Sequence, residues 1–421
     1  MSLLPKYSLG VGDRFGHQGP AQLDALILAS RQGIEIAPVW NKSHREHTIT
    51  GSRPADVEAE ARAAVQARRW TAPYFVDADH ISLKTVDAFL ASSNFFTLDV
   101  ADWIGVDAGS DCVDRFIARE ERLVGRHALP GLDRPLEVSR PALAAAARKF
   151  LAAIREAGRI YDRICQAKPG AAPVIEVSMD ETDRPQTLVE LLCILAAVAD
   201  EGIPVQTIAP RFVGRSNKGV DYVGDPAEFR QQFEDHLALI AFAIRKFQLP
   251  GTLKLSVHSG SDKFALYRPM HEALKKFDAG VHLKTAGTTW LEELVGLAAA
   301  GGDGLEIAKE VYEASWQRFD EFCAPYASVV DIDRPSLPSP EVVARWDGET
   351  FAAALRHDAA CPAYSPDVRQ LLHVGYRVAA EMGARYTAAL EKYAAPIAAY
   401  VTRNLYERHI RPLFLGQEAR E

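Results

Sequence analysis

The stretch PYFVDADH, residues 73–80, decides the fold. Its first half suits a buried β-strand, and polar side chains follow directly at the end of that strand: Asp77, Asp79 and His80. Burying such groups without partners costs several kcal/mol. We therefore expect these side chains to line a functional site at the carboxyl end of a strand.

Seven other segments repeat this pattern of a short apolar run that ends in polar residues. They are YSLGVGD (7–13), EIAPVWN (35–41), FFTLDVAD (95–102), PVIEVSMDE (173–181), IPVQTIAP (203–210), LKLSVHSG (253–260) and GVHLKTAG (280–287). Segments of helical character separate most of these strands, over residues 22–32, 54–69, 82–92, 140–166, 187–201, 225–247 and 269–277. Strands that alternate with helices predict parallel βαβ units, and eight such units predict an α/β fold, a closed (β/α)8 barrel of the TIM type.

The strand pattern stops beyond residue 288, and the rest of the chain is predicted to be helical. Residues 290–300, 305–322 and 367–405 have the character of helices, and a Pro/Ser-rich connector covers residues 328–343. We predict a catalytic barrel over residues 1–290 and a C-terminal helical extension, residues 291–421, packed on the barrel.

The composition excludes several classes of protein. The chain of 421 residues has a formal net charge of -8, whereas nucleic-acid-binding proteins present a basic face to phosphates. No apolar run approaches the roughly 20 residues that span a bilayer, and the start, MSLLPKYSLG, lacks the plan of a signal peptide. The five scattered cysteines indicate neither a disulfide framework nor a thiolate zinc site. We predict a cytoplasmic protein without nucleic-acid or membrane partners.

Histidines and a carboxylate at strand ends predict a metal site, because barrel enzymes place their active sites at that face. The predicted ligands are His80, Glu176, His258 and His282. Imidazoles combined with a carboxylate suit a divalent ion such as zinc, manganese, nickel or cobalt better than magnesium, which prefers oxygen. His44 and His47 also have the spacing of a metal pair, but their polar surroundings favour a substrate loop.

Three residues are predicted to be catalytic: Asp79, Glu176 and Lys284. Asp79 precedes a predicted ligand, so it would point to the other side of the chain and act as acid or base; the alternative is an N-cap for a helix near Ser82. Lys284 in a buried strand allows a Schiff base with a ketone, and the alternative is an ion pair with a neighbouring carboxylate.

Loops after the strands supply the predicted substrate-binding residues: Arg14, His17, Asn41, Lys42, Arg211, Ser259 and Lys263. The first loop, GVGDRFGHQG (10–19), does not have the G-x-G-x-x-G spacing of a dinucleotide site, and we predict that it approaches an anionic substrate. The basic loop over residues 211–225, with Arg215 and Lys218, has the character of a substrate lid.

Four segments resemble the tagaturonate epimerase family, sugar-acid epimerases of bacterial hexuronate catabolism. They are YSLGVGDRFGHQG (7–19), PVWNKSHREHTITGS (38–52), PYFVDADHISLKTVD (73–87) and FFTLDVAD (95–102), and the similarity runs over most of the chain. The resemblance implies that a ketohexuronate is the substrate and that D-tagaturonate and D-fructuronate are interconverted with a divalent metal. DADH (77–80) and VHSGS (257–261) also resemble metal-ligand segments of class II aldolases.

The implied reaction inverts a carbon β to the ketone, where no adjacent carbonyl acidifies the C–H bond. Transient oxidation would need a dinucleotide fold that the sequence does not indicate, so we predict retro-aldol cleavage followed by re-addition to the other face of the aldehyde. The alternatives are an aldolase or another ketose or ketose-acid epimerase on the same barrel. A non-catalytic sugar-acid binding protein is a further alternative, since fold does not fix function.

Overall fold

The computed structural model describes residues 3–285 and 287–419, and it contains a closed barrel of parallel strands. The strands are β1 (Tyr7–Gly10), β2 (Ala37–Ser43), β3 (Phe75–Ile81), β4 (Phe95–Asp99), β5 (Val174–Met179), β6 (Thr207–Pro210), β7 (Lys254–His258) and β8 (Val281–Lys284). Each strand pairs with its neighbours in the chain, and β8 pairs with β1. All eight predicted strands are present, and the (β/α)8 barrel is confirmed.

The register of the barrel brings polar residues of different strands to the same level. Lys284 on β8 lies opposite Gly10 on β1 and His258 on β7. A Cβ atom at Gly10 would lie 2.9 Å from Cγ of Lys284, so a glycine there leaves room for the lysine to enter the barrel. The strand ends therefore converge on the barrel interior.

Helices lie between the strands along the chain, and most of them cover the outside of the barrel. They are α1 (Gly19–Arg31), α2 (His44–Thr50), α3 (Pro54–Arg68), α4 (Ser110–Arg119), α5 (Arg140–Ala167), α6 (Leu188–Asp200), α7 (Pro226–Phe247) and α8 (Phe264–Phe277). Capping boxes begin two of them: Ser43 with Glu46 at α2, and Thr187 with Glu190 at α6. A short antiparallel pair, Gly125–His127 with Leu136–Val138, lies between α4 and α5.

The helix predicted over residues 82–92 is wrong. This segment forms turns with a single 3-10 helix, Val86–Ala88, in which the hydroxyl of Thr85 accepts a hydrogen bond from the backbone N–H of Ser82. The side chains of Val86 and Phe89 are nevertheless buried. The apolar spacing that predicted a helix therefore results from side chains buried in a compact turn. Asp79 consequently has no helix to cap.

The C-terminal part of the chain is helical, as predicted. Its helices are α9 (Thr288–Ala300), α10 (Gly302–Gln317), α11 (Phe319–Cys323), α12 (Pro340–Val343), α13 (Gly348–Leu355), α14 (Pro366–Val374), α15 (Tyr376–Met382), α16 (Ala384–Lys392) and α17 (Ala394–Arg403), followed by a π-helix (Asn404–Leu415). The long helix predicted over residues 367–405 is divided, and one break falls at Gly383, whose φ of 56° ends a helix at low cost.

The C-terminal helices complete the wall around the barrel. α17 packs on α1 and α9, and the π-helix packs on both α8 and α1, the helices next to the seam between β8 and β1. The rings of Phe414 and Tyr7 meet edge to face at 5.4 Å across this contact. The division of the chain at residue 290 stays a prediction. Within residues 3–285 and 287–419, no helix has the length and apolar character needed to cross a membrane.

Candidate active site at the carboxyl ends of the strands

A cavity of about 550 Å³ opens at the carboxyl ends of the barrel strands, a size typical of small-molecule sites. Most strands or the loops after them contribute polar side chains to its wall, among them Asn41, Asp79, His80, Asp99, Asp180, His258 and Lys284. This cavity therefore lies at the face of the barrel where the sequence predicts the site.

A cluster of carboxylates surrounds the buried ammonium of Lys284. Its Nζ lies 2.8 Å from Asp77 Oδ2, 2.9 Å from Asp79 Oδ1 and 2.9 Å from Glu176 Oε1, and it donates to Thr97 Oγ1 at 2.6 Å. Burial alone would lower the pKa of Lys284, but the three carboxylates raise it well above its usual value. A lysine held as an ammonium is a poor nucleophile, so this geometry matches the ion-pair alternative and not the Schiff base.

Two histidines are oriented by members of the same cluster. His80 donates from Nδ1 to Asp79 Oδ1 at 2.8 Å, and His258 donates from Nε2 to Glu176 Oε1 at 2.8 Å. The other nitrogen of each ring faces Asp180: His80 Nε2 lies 3.6 Å and His258 Nδ1 lies 3.1 Å from its carboxylate oxygens. Each imidazole thus has one nitrogen on a buried carboxylate and one directed at Asp180.

This group fits a divalent metal ion. One ligand atom from each of His80, Asp180 and His258 lies within 4.8 Å of the others. His258 Nδ1 is buried, and Asp180 Oδ2 lies 3.1 Å from it without a hydrogen bond of good geometry between them. Carboxylates that accept from the remote nitrogen of a ligand imidazole are usual around metals, and two imidazoles with a carboxylate suit zinc and similar ions.

The local backbone explains how His80 reaches the cavity beside Asp79. Neighbouring residues of a regular strand point to opposite faces. β3 has a register shift between Ala78 and Ile81, and His80 has a φ of 52°, in the left-handed region that histidine seldom occupies. The irregularity turns both side chains toward the strand end, and such strained residues are common at functional sites.

Two of the predicted ligands, Glu176 and His282, are not in this group, and Asp180 is in it although it was not a predicted ligand. Asp180 takes the place that was predicted for Glu176, whose carboxylate instead accepts from His258 and contacts Lys284. Asp180 lies four residues after Glu176 and so has the same strand parity. The spacing E-x-x-x-D at the end of β5 could therefore have indicated Asp180 as a candidate ligand. Among the described residues no second such group is found, and His44 and His47 are not in one.

His282 lies outside the group. It is completely buried, and its Nδ1 shares a hydrogen bond of 2.9 Å with Ser8 Oγ. It precedes Lys284 by two residues on β8, so it faces the interior one layer deeper than the lysine. Burial lowers the pKa of His282 to about 3, and the ring is neutral. The structure therefore does not place it with the other predicted ligands.

We expect His282→Leu to bind a divalent ion as the parent protein does, since the ring is not in the group of His80, Asp180 and His258. The variant should lose about 1–3 kcal/mol of stability, because Ser8 is left without its buried partner. Elemental analysis of the purified variant and denaturant unfolding measure the two effects. A folded variant without metal would return His282 to the ligand set.

The structure brings five of the predicted substrate residues to the cavity: Arg14, Asn41, Arg211, Ser259 and Lys263. It does not bring His17 and Lys42 there. Lys42 follows Asn41 on β2 and points outward, where its Nζ donates to the backbone carbonyl of Arg14 at 2.5 Å. His17 donates from Nδ1 to the carbonyl of Phe15 at 2.7 Å and lies at the edge of the first loop.

Two of the cationic side chains in the wall are occupied by the protein itself. Arg14 donates to Glu46 Oε1 at 3.0 Å and to the carbonyl of His373 at 3.2 Å, and it stacks on the ring of Tyr376 at 3.9 Å. Lys263 is fully buried and donates to the carbonyl of Val220 at 2.8 Å. Arg14 and Lys263 therefore stabilise the cavity wall through contacts within the protein.

Lys218 is different from these two cations. Its side chain lines the cavity, and its Nζ would lie 3.5 Å from a Cβ atom at Gly260. Among the residues that the structure describes, the ammonium has no hydrogen-bond or ion-pair partner. Burial lowers the pKa of Lys218, with Arg45 and Arg14 nearby acting in the same direction. An anion bound in the cavity would supply the missing counter-charge.

The carboxylates in the cavity differ in their ability to accept a proton. Burial opposes the charge on Asp79, but Lys284 and His80 hold the pKa of Asp79 well below its usual value. Asp99, at the end of β4, is half-buried, and its Oδ1 accepts from the backbone N–H of Ala101 at 3.1 Å. Burial raises the pKa of Asp99. Asp99 is therefore the better proton acceptor, although strand-end position alone did not distinguish it from Asp79.

Comparison with known proteins gives consistent matches over nearly the whole chain. The sequence model of a family described as tagaturonate epimerase matches residues 2–392. The tagaturonate/fructuronate epimerase of Thermotoga maritima is 28% identical over 384 residues, which cover 88% of this chain and 72% of that protein.

Solved structures agree with the fold. The native crystal structure of the fructuronate-tagaturonate epimerase of Cohnella laeviribosi has a TM-score of 0.79 and 24% identity, covering 98% of this chain and 82% of that one. A glycerol complex of the same enzyme has a TM-score of 0.77 and 24% identity, covering 96% of this chain and 81% of that one. These likenesses extend over both the barrel and the C-terminal helices.

Proposed function

The chain belongs to the tagaturonate epimerase family, and from this premise we propose that it interconverts D-tagaturonate and D-fructuronate in the cavity described above. It is a carbohydrate epimerase, an isomerase, as the names of its relatives state. The assignment of the two sugar acids, the metal dependence and the chemical route are our proposal.

One observation carries this proposal: the same cavity combines a group that fits a metal ion with an ammonium that lacks a counter-ion. His80, Asp180 and His258 suit a ketone with an adjacent hydroxyl, which binds metals through oxygen. Lys218 suits the terminal carboxylate of a sugar acid, and Arg45, Arg211 and Arg215 line the same cavity. A ketohexuronate has both features in one molecule.

We propose a retro-aldol route for the inversion. The hydroxyl proton on the carbon β to the ketone passes to Asp99, the bond between the α and β carbons breaks, and its electrons move toward the ketone. A divalent ion held by His80, Asp180 and His258 would supply a Lewis acid for the ketone. The aldehyde half then turns, the bond re-forms on the other face, and Asp99 returns the proton to the new hydroxyl.

The protein residues keep the two halves in place between cleavage and re-formation. Lys218 would hold the carboxylate of the aldehyde half, so that this half rotates without leaving the cavity. Asn41 donates from Nδ2 to Asp79 Oδ2 at 3.1 Å and fixes the carboxylate that orients His80.

The test of this function is incubation of the purified protein with D-tagaturonate, with and without a hydrazide that traps aldehydes. We expect D-fructuronate to form until a fixed ratio is reached, and the trap to collect the aldehyde half slowly. No change in the epimer ratio would reject the function. Epimerisation without any trapped half, together with a reduced nicotinamide bound to the protein, would reject the retro-aldol route.

An aldolase is the second candidate function, because the same residues would perform cleavage without recombination. The two are distinguished by the products at long times. Net accumulation of both halves in the absence of a trap indicates an aldolase, whereas a constant total of the two uronates indicates an epimerase.

We expect Asp99→Asn to lower kcat by about 100-fold to 10,000-fold, the range typical of a removed acid–base group. The bound ion should remain, since Asp99 is not in the group of His80, Asp180 and His258. Asp102→Asn, an exposed aspartate three residues further on, is the matched control and should keep normal turnover. Normal kcat in Asp99→Asn would assign the proton transfer to another group, and Asp79→Asn would be compared next.

A further inference from the structure

Arg369, on α14 of the C-terminal helices, connects three separate segments of the chain. Its side chain is 0% exposed. Nε donates to the carbonyl of Gly219, Nη1 to the carbonyl of Leu355 and Nη2 to Asp262 Oδ2, each at 2.6 Å. The planar guanidinium makes three directed hydrogen bonds that the single ammonium of a lysine cannot reproduce.

Asp262 is the charged partner in this arrangement, and it is also fully buried. Its carboxylate accepts from Thr288 Oγ1 at 2.8 Å and lies 3.1 Å from His357 Nδ1. Burial opposes its charge, but Arg369 and the neighbouring histidines hold the pKa of Asp262 well below its usual value. The pair is therefore a buried ion pair with its oxygens hydrogen-bonded, which is the condition for such a pair to be tolerated.

The two loops that Arg369 joins both reach the cavity. We call residues 211–225 the β6 loop and residues 259–263 the β7 loop. In the β6 loop, Lys218 lines the cavity and directly precedes Gly219. In the β7 loop, Ser259 and Lys263 line the cavity, and Lys263 directly follows Asp262. None of the three atoms that Arg369 contacts lies on a residue that lines the cavity wall.

Hydrogen bonds also join the two loops directly. The backbone N–H of Gly219 donates to Ser261 Oγ at 3.0 Å, and Lys263 Nζ donates to the carbonyl of Val220 at 2.8 Å. Gly219 has a φ of 76°, and a Cβ atom there would lie 3.1 Å from the carbonyl oxygen of Arg369. A glycine is therefore needed where α14 approaches the β6 loop.

We propose that Arg369 is a positioning residue that fixes the β6 loop against the β7 loop and so sets the place of the Lys218 ammonium for the substrate carboxylate. This inference rests on the proposed function for the nature of the ligand. It assigns to the C-terminal helices a part in substrate recognition, although Arg369 itself does not line the cavity.

The first test is a double-mutant cycle of Arg369→Lys and Lys218→Met, read as KM and kcat for the uronate. Each single variant should raise KM by about tenfold or more and change kcat by less than about threefold. The double variant should have the KM of Lys218→Met alone, because the position of an absent ammonium no longer matters. Effects on KM that multiply in the double variant would overturn the proposal.

The second test is hydrogen exchange of the backbone, which does not depend on the reaction. Arg369→Lys should speed exchange in residues 217–223 by about tenfold and leave exchange in the barrel strands unchanged. Arg377→Lys is the matched control, since Arg377 makes an exposed ion pair with Glu321 at 3.2 Å, away from the β6 and β7 loops. Unchanged exchange in residues 217–223 would overturn the proposal even if uronate turnover is normal. Faster exchange in a chain inactive on uronates would uphold the loop contact and reject only the proposed substrate.

A further variant covers the case in which Arg369→Lys does not fold. Arg369→Gln combined with Asp262→Asn removes both charges of the buried pair, which is tolerated better than the loss of one. The same rise in KM and the same faster exchange are expected from it. A folded double variant with the parental KM would overturn the proposal.

Discussion

His258→Ala is expected to lose the proposed divalent ion and to lower turnover of the uronate by about 1,000-fold or more, because a Lewis acid in the site is worth several kcal/mol. The variant removes one of three groups whose ligand atoms lie within 4.8 Å of one another. Metal content by elemental analysis and turnover by the epimer ratio are measured on the same sample. Removal of the ion from the parent protein by a chelator should cause the same loss, and added metal should reverse it.

Comparison of Asp180→Asn with Glu176→Gln separates a ligand from a residue that orients one. Asp180→Asn should behave like His258→Ala. Glu176→Gln should weaken metal binding by only about 10–100-fold, the range for a residue that hydrogen-bonds to a ligand imidazole. His44→Ala, which lines the cavity outside the metal group, is the control and should bind metal as the parent does. If Glu176→Gln loses all metal and Asp180→Asn keeps it, Glu176 is the carboxylate ligand, as the sequence predicted.

The barrel was predictable because its signals are local. Each strand is a short apolar run of the chain, and parallel strands of a barrel end at one face, so polar residues such as Asp77 and His258 had to gather there. The helix over residues 82–92 was wrong because apolar spacing does not distinguish a helix from a compact turn with buried side chains.

The roles of residues within the site were less predictable, because they depend on side-chain direction and depth. His282 and Lys284 have the same parity on β8, and only the three-dimensional level separates a buried neutral ring from the cavity. Asp79 and His80 should point to opposite faces in a regular strand, and the irregularity in β3 changes this. The depth of His282 and the irregularity in β3 both depend on packing, which the order of residues does not reveal.

Charge in a loop is also a weak guide to substrate binding. Arg14 and Lys263 were predicted to hold an anion, but each is hydrogen-bonded to backbone carbonyls of neighbouring segments. Lys218 lies in a loop of the same character and has no such partner among the described residues. The difference arises from contacts between segments that are distant in sequence, such as Arg14 with His373 on α14 and Lys263 with Val220 on the β6 loop.

Lys284→Met is expected to lower the free energy of unfolding by about 3–5 kcal/mol at neutral pH, as for other broken buried ion pairs. The change leaves Asp77, Asp79 and Glu176 without the ammonium that lies within 2.9 Å of each of them. Turnover should fall strongly as well, because Asp79 and Glu176 then no longer hold His80 and His258 as they do in the parent. Urea unfolding followed by circular dichroism measures the stability.

The loss of stability in Lys284→Met should become smaller as the pH is lowered. Burial raises the pKa of Asp77 to about 6 even with Lys284 present, and without the ammonium the pKa must rise further. The folded variant then binds more protons than the folded parent between about pH 6 and this further raised value, so the loss of stability grows as the pH rises through that window.

Adding Asp77→Asn removes one of the buried charges, so the double variant should recover part of the lost stability at neutral pH, and its stability should depend less on pH.

A Schiff base at Lys284 predicts a different pattern. Borohydride added with the uronate would then attach the substrate to the parent protein, and a chelator would leave turnover unchanged. An unlabelled lysine together with turnover lost on chelation assigns Lys284 to the carboxylate cluster, where its charge keeps Asp79 and Glu176 ionised to orient the two histidines.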